Sequence, residues 1–435
     1  MSRISDAQKR AFEHPLFRKN SALASTAVCN FVAAFLTGLV GMMVSHLLGP
    51  QGRGIYATAL VWGNLFLFLV QVGINQSIVY ASASDPSSMG RVVSATLLLF
   101  SVQSILLFLL AFGGVPLLSW YPPATREAIQ IYLCSVPGTL LLIYLTCISL
   151  GSNITSRFNT MKIVSAVPPF LSVVCAALFG RNLRFLLVSL LLWSYLVSLI
   201  ALWWITRQTA FRPRPIRATG TLRSLINYGL HSYWANISAF ANMRIDQLLL
   251  SFAVTPATLG NYSVAASYSL LTYPLAATAA NTAFARVASA PGNEKASHIW
   301  EIATKGISAS AIALFILWLF RALFIRTIYG QGFVEATRLS STLLLAALFL
   351  SANYILSDCL RGMNMPGTVS KAEGFSAILT VVGLYLAVPR FGVWGAAWVS
   401  LLSYAIVTAI LVTTIVRALT NQALTSAEAT MAKVA

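Results

Sequence analysis

The stretch ANISAFANMRIDQLLLSF, Ala235 to Phe252, carries Arg244 and Asp246 within a run otherwise apolar enough to lie in a membrane. A guanidinium can grip a phosphate through two parallel charge-assisted hydrogen bonds. A carboxylate at depth can take up a proton or a cation, which relieves its burial cost. These types at this spacing suit an anion-binding arginine and an ion-coupling aspartate. Two residues apart on a helix they stand about 200° from each other, so they cannot pair and each needs its own partner. Arg244 lies roughly 15 Å along the axis from Val254, close to a bilayer midplane. A lone charge there must face protein, a partner or water. The plainer alternative is that each ties its helix to a neighbour through an ion pair, Asp358 being one candidate partner for Arg244. Tyr233, Asn236, Phe240 and Arg244 follow near-helical spacing, with Asn242 four residues before Asp246, as a polar wall would require.

The elements that must position these residues follow from composition. Of 435 residues, 57% are hydrophobic and 9% charged, against about 25% charged in an ordinary soluble domain. Apolar runs near the ~20 residues of a membrane-crossing helix recur along the chain. We expect an all-α polytopic membrane protein with about twelve transmembrane helices: 20–48, 54–83, 92–115, 125–148, 159–180, 184–206, 224–254, 258–286, 303–326, 337–358, 369–389 and 392–416. The fourth is interrupted by Pro137-Gly138 and the fifth by Pro168-Pro169. A cytoplasmic N-terminal tail (1–19), a six-helix bundle (20–206), a basic cytoplasmic linker (207–223), a second six-helix bundle (224–417) and a cytoplasmic tail (418–435) complete the expected organisation. With both termini cytoplasmic, twenty of the 29 Lys and Arg fall on the cytoplasmic side, Arg157 and Lys162 among them; eight fall opposite and Arg244 remains inside. That bias satisfies the positive-inside rule. The formal charge of +18 therefore points to anionic lipid heads and not to nucleic acid.

The halves repeat. At an offset of 206, without gaps, Pro50 meets Pro256, Gly54 meets Gly260, Tyr56 meets Tyr262, and Asn75 meets Asn281. An even number of helices per half returns the chain to its starting side, so the repeats are parallel, with a central cavity expected between them. Arg244 and Asp246 correspond to Gly38 and Val40, so helix architecture does not demand the charges.

The segments LLGPQGRGIYATA, NMRIDQLLLSFAVTPATLGNYSVAASYSLL and PRFGVWGAAWVSLLSY resemble the polysaccharide-export group, with its Wzx-type O-antigen flippases, of the multidrug/oligosaccharidyl-lipid/polysaccharide flippase superfamily. The sixth span departs from it by lacking the Gly-Ala-Ala of the last one. The resemblance implies a flippase in the bacterial inner membrane that moves a polyprenyl-pyrophosphate-linked oligosaccharide, with membrane lipids and a driving H⁺ or Na⁺ as the other partners. An ion-coupled multidrug exporter of the same superfamily shares the fold. A membrane-embedded polysaccharide polymerase or glycosyltransferase, and a scaffold without transport, are the readings from other classes.

Further substrate-binding candidates are Asn75, Asn281, Arg53, Arg286 and Arg361; Arg91, also at a span end, is a weaker one. For the asparagines, hydrogen bonding between helices is the competing role; for the arginines, anchoring at the membrane surface. Gly54 and Gly260, each two residues before a Tyr, read as tight-turn glycines. There is no GxxxxGK[ST], no HExxH and no GxSxG, so neither nucleotide use nor a hydrolytic enzyme is supported. The five cysteines form no CxxC, and no metal or cofactor is expected.

Overall fold

The structure, a computed structural model, describes residues 15–207, 211–213, 219–291 and 294–434. Most of the expected N-terminal tail and parts of the linker lie outside them, as do the side chains of 235–244, including Asn236, Phe240, Asn242 and Arg244. Among the described residues there are helices and turns but no strand. The α-helices are α1 (Pro15–Gln71), α2 (Ile74–Ser84), α3 (Met89–Leu109), α4 (Pro123–Gly151), α5 (Thr155–Cys175), α6 (Leu183–Thr206), α7 (Thr219–Ala253), α8 (Pro256–Ser269), α9 (Tyr273–Ser289), α10 (Lys295–Phe324), α11 (Val334–Gly362) and α12 (Pro366–Val434). This is what a bilayer enforces, since only helices satisfy every backbone group within their own segment.

These helices are not the twelve expected spans one for one. Eight stretches among the described residues are long and apolar enough to cross a membrane. Two of those, Val28–Gln71 and Pro366–Thr420, run through a break: Gly49 (φ 63°) bends α1 and Gly392 (φ 56°) bends α12. The second expected span divides at Val72 and Gly73, where φ turns positive. The eighth divides at a 3-10 turn, Leu270–Thr272, just ahead of Pro274. The two expected interruptions do not occur. α4 passes through Pro137-Gly138 and α5 through Pro168-Pro169, because packing in a bundle tolerates the ring. Gly138 serves contact instead, since a Cβ there would stand 2.7 Å from the Ser194 backbone of α6.

The chain packs as two compact units. The first holds residues 1–47 and 62–234, the second 48–61 and 235–435. The first unit is built around α4, with Leu133, Leu140, Leu142, Tyr144 and Leu145 fully buried. Its sharpest local device answers the break at Val72-Gly73. A break strands the carbonyl four residues upstream of the next amide. Gln103 of α3, itself buried, donates Nε2 to the Val70 carbonyl at 2.8 Å, and the buried Tyr144 hydroxyl donates to Gln103 Oε1 at 2.7 Å. Gly73 and Gly229 then meet so closely that a side chain on Gly73 would fall on the Gly229 carbonyl.

The second unit is built on α11, whose Ile355, Leu356, Cys359 and Leu360 are buried with Ala283, Val287, Ile299 and Leu411. Asn261 of α8 accepts from the Ala336 amide at 3.0 Å, capping α11 from another helix. Pro50–Gly54 and Pro256–Gly260 pack backbone to backbone. A Cβ on Gly54 would fall on the Pro256 carbonyl, and one on Gly260 on that of Pro50. Neither glycine has positive φ. The tight-turn reading is corrected: the turn glycine is Gly49, and Gly54 and Gly260 are there because neither turn leaves room for a side chain.

Candidate functional site

Asp246 lies near the C-terminal end of α7, in the second unit. Its Oδ2 accepts from the Tyr262 hydroxyl at 2.7 Å, and its Oδ1 from the Gln247 amide at 2.7 Å. Tyr262 is fully buried, and the Ser400 hydroxyl of α12 hydrogen-bonds to it. Tyr404, one turn further along α12, is close enough to share the field of Asp246. Its carbonyl accepts from Asn353 Nδ2 of α11 at 3.1 Å, and Thr408 closes the set by donating to Asn353 Oδ1 at 2.7 Å. Residues of four helices, α7, α8, α11 and α12, thus form one set around the carboxylate and its tyrosine donor. A carboxylate so held can bind and release a proton, or take a small cation, without repacking its surroundings.

Arg53 lies in the same unit, in the first turn after Gly49. It was expected as a span-end cation, yet it is 7% exposed. Its guanidinium lies 5.7 Å from the Tyr56 ring, and Tyr329 stands in its field. Packing of this kind suits an arginine, whose planar group tolerates aromatic faces. The repeat-related tyrosines diverge here. Tyr56 borders a cation, whereas Tyr262 donates to an anion. The residues that correspond to Arg53 and Asp246 are the apolar Leu259 and Val40.

The remaining candidates are dispersed. Arg361 is committed to two carboxylates, Asp358 at 2.8 Å and Glu373 at 2.9 Å. Asp358, the candidate partner for Arg244, is therefore engaged by Arg361 instead, from one turn away on α11. Arg91 faces Asp85 at 3.9 Å. Asn281 and Arg286 are exposed on α9, and Asn75 is half-buried near the start of α2. Tyr233 stacks on Phe68 in the first unit with centroids 5.0 Å apart. Arg244 and Asn236 lie outside the described side chains.

A further candidate is a lysine that the sequence reading counted on the cytoplasmic side, at the start of the fifth expected span. Lys162 lies inside α5, where its ammonium donates to the Asn30 amide oxygen of α1 and stands 5.2 Å from the Phe158 ring. One turn away, Asn159, 6% exposed, donates to Ser25 Oγ at 3.2 Å. The polar i, i+3 spacing of Asn159 and Lys162 was the available signal, passed over because Lys162, three residues into the expected span 159–180, was counted among the cytoplasmic charges. Arg157, expected in the cytoplasmic loop before that span, is buried with its guanidinium 4.3 Å from the Phe211 ring.

Residues 43–338 match the profile of a family described as polysaccharide biosynthesis protein. The chain belongs to that family. The matched region contains Arg53, Lys162, Arg244, Asp246 and Tyr262, while Ser400 and Tyr404 follow it. Over 188 residues the chain is 23% identical to the probable low-salt glycan biosynthesis flippase of Haloferax volcanii, covering 42% of this chain and 40% of that protein. It thus spans less than half of that curated relative. Among solved structures, the inward-facing form of a multidrug resistance MATE family transporter of the MOP superfamily aligns with TM-score 0.73 and 14% identity, over 91% of this chain and 96% of its own. The lipid II flippase MurJ, inward closed, aligns with TM-score 0.69 and 13% identity, over 92% and 90%. The fold is therefore the polytopic helical fold of these transporters, and the resemblance read from the sequence holds. At such identities the structures speak for the fold alone.

Proposed function

We propose that this protein is a flippase that carries a polyprenyl-pyrophosphate-linked oligosaccharide across the bacterial inner membrane by alternating access, with both termini cytoplasmic. The observation that carries the reading is membership in the polysaccharide biosynthesis family over residues 43–338, a region that includes Arg244 and Asp246. A polyprenyl-pyrophosphate bears two phosphates, which a guanidinium can hold in pairs. Arg244 is the residue for that role, and Asp246, bonded to Tyr262, the residue for H⁺ or Na⁺ coupling. The glycan relative and the lipid II flippase support a lipid-linked precursor as the cargo class. The multidrug exporter with the same fold supports the rival cargo, a cationic drug, for which an arginine at this depth would be repulsive.

The test is complementation of a strain lacking surface polysaccharide export, with membrane insertion checked by blotting. Arg244→Ala should abolish export. Arg244→Lys keeps the charge without the fork and should retain part of it. Full restoration by an inserted Arg244→Ala protein would remove the anchor of the reading.

A further inference from the structure

We infer that Lys162 and Asn30 form a second anion contact, in the first unit, that holds a phosphate of the lipid-linked cargo. The inference rests on the flippase reading for the identity of the cargo. Lys162 lies seven residues into α5, about 10 Å along the helix from its start. An ammonium at that depth must be solvated by something. In the structure its neighbours are neutral: the Asn30 amide oxygen and the Phe158 ring. No carboxylate stands within ion-pair distance of it among the described residues, whereas Arg91, Arg184, Lys305 and Arg361 each have one. The positive charge at Lys162 is thus held in place without being cancelled.

The direction it faces follows from α1. Val28, Phe31 and Phe35 are each more than half exposed and share one side at helical spacing. Thr26, Asn30 and Thr37 share another, about 150° away by the same turn per residue. In a bilayer the phenylalanine row meets lipid tails, which leaves the row that holds Lys162 for a polar space. One turn along α5 from Lys162, Asn159 donates to Ser25, which lies off that row of α1, and Asn159 Oδ1 is buried without a hydrogen-bond partner. A phosphate supplies what Lys162 lacks. A lysine two turns from a span end can also reach toward lipid headgroups, so the probes below separate a bulk-lipid phosphate from one on the cargo.

The experiment uses the purified full chain in nanodiscs, with polyprenyl pyrophosphate, neutral polyprenol and phosphatidylglycerol as probes, read by native mass spectrometry. Lys162→Gln should weaken polyprenyl pyrophosphate binding by about ten- to a hundredfold, the loss of a charged contact, and leave polyprenol binding unchanged. Asn30→Asp keeps the lysine but cancels its charge and should weaken the pyrophosphate to the same degree, which protects the test if Lys162→Gln does not fold. Lys162→Arg should stay near wild type. Unchanged pyrophosphate affinity in both Lys162→Gln and Asn30→Asp overturns the contact. A loss confined to phosphatidylglycerol overturns its assignment to cargo. A wild-type protein that binds pyrophosphate no better than polyprenol overturns the flippase reading itself, an outcome visible before any variant is made.

Discussion

Replacing Gly54 by alanine probes the backbone contact between the two repeat-related turns. The added Cβ would fall on the Pro256 carbonyl and lie 3.0 Å from the Gly260 amide nitrogen. Both obstacles are backbone, so no side chain can swing aside. The turns must part by roughly 1.5–2 Å, which forfeits more than the quarter to half of each contact's dispersion energy that a gap of up to ~1 Å would cost. Overpacking of this kind costs about 1–3 kcal/mol. At ~2–4 °C per kcal/mol for a unit of this size, detergent-solubilised Gly54→Ala should melt roughly 2–12 °C below wild type. Gly260→Ala meets the Pro50 carbonyl in the same way and should lose a similar amount. The double variant should lose less than the sum, because the first methyl opens the gap that the second needs. Gly38→Ala is the control. Nothing lies within 4 Å of its Cβ position, and alanine favours the helix by up to ~1 kcal/mol, so its melting temperature should hold or rise. A Gly54→Ala protein that melts with wild type, or a double variant that loses the full sum, would refute the close-packing explanation.

Asp246→Asn removes the titrating group while keeping the Tyr262 contact, so export should lose its dependence on the ion gradient while insertion stays normal; normal gradient dependence would remove Asp246 from coupling. Gln103→Leu strands the Val70 carbonyl and the Tyr144 hydroxyl together and should cost about 2–4 kcal/mol by thermal melting, whereas a neutral result would mean that the break at Gly73 needs no stitch. At Asp85, the hydrogen bonds from Ser87, then from Ser88, hold the carboxyl below its ordinary range; its support of the adjoining turn is present above that range and fades as pH falls through the lowered value. Ser87→Ala should move the carboxyl titration, followed by NMR, upward, and an unmoved titration would dismiss the cause. In a variant freed of native cysteines, Ser119→Cys should react with an impermeant thiol reagent on intact cells and Thr219→Cys should not; the reverse pattern would invert the topology.

The helical class was legible because lipid punishes any other backbone, and hydropathy records that directly. The repeat was legible at Pro50/Pro256 and Gly54/Gly260, though the reason for the glycines was not: a sequence shows that a side chain is missing, not what occupies its place. Breaks were misjudged in both directions. Proline at 137 and 168–169 drew attention but bends nothing out of helix, whereas the Val72-Gly73 break carries no proline and is made good by Gln103, thirty residues downstream. Asp246 stood out in the sequence as a carboxylate within an apolar run, and the structure gives it a tyrosine partner. Its partner Tyr262 was noticed only as a repeat match, because a hydrogen bond between helices leaves no local pattern. Lys162 was missed because, at the start of the expected span 159–180, it was counted only as a cytoplasmic-side charge.

The close contact of Gly54 and Gly260 has a bearing on what a cut in the chain would do. The sequence reading divides this protein at a basic linker, 207–223, but residues 48–61, from the first half, pack within the second unit. Severing the linker would therefore leave the two fragments clasped, each owning one of two equivalent glycine faces. A first fragment made alone would bear its face uncovered, and that face has the shape to meet its own copy, glycine against glycine, as an isologous interface does. The repeat thus holds within one chain a contact of the kind by which a shorter ancestor could have paired with itself.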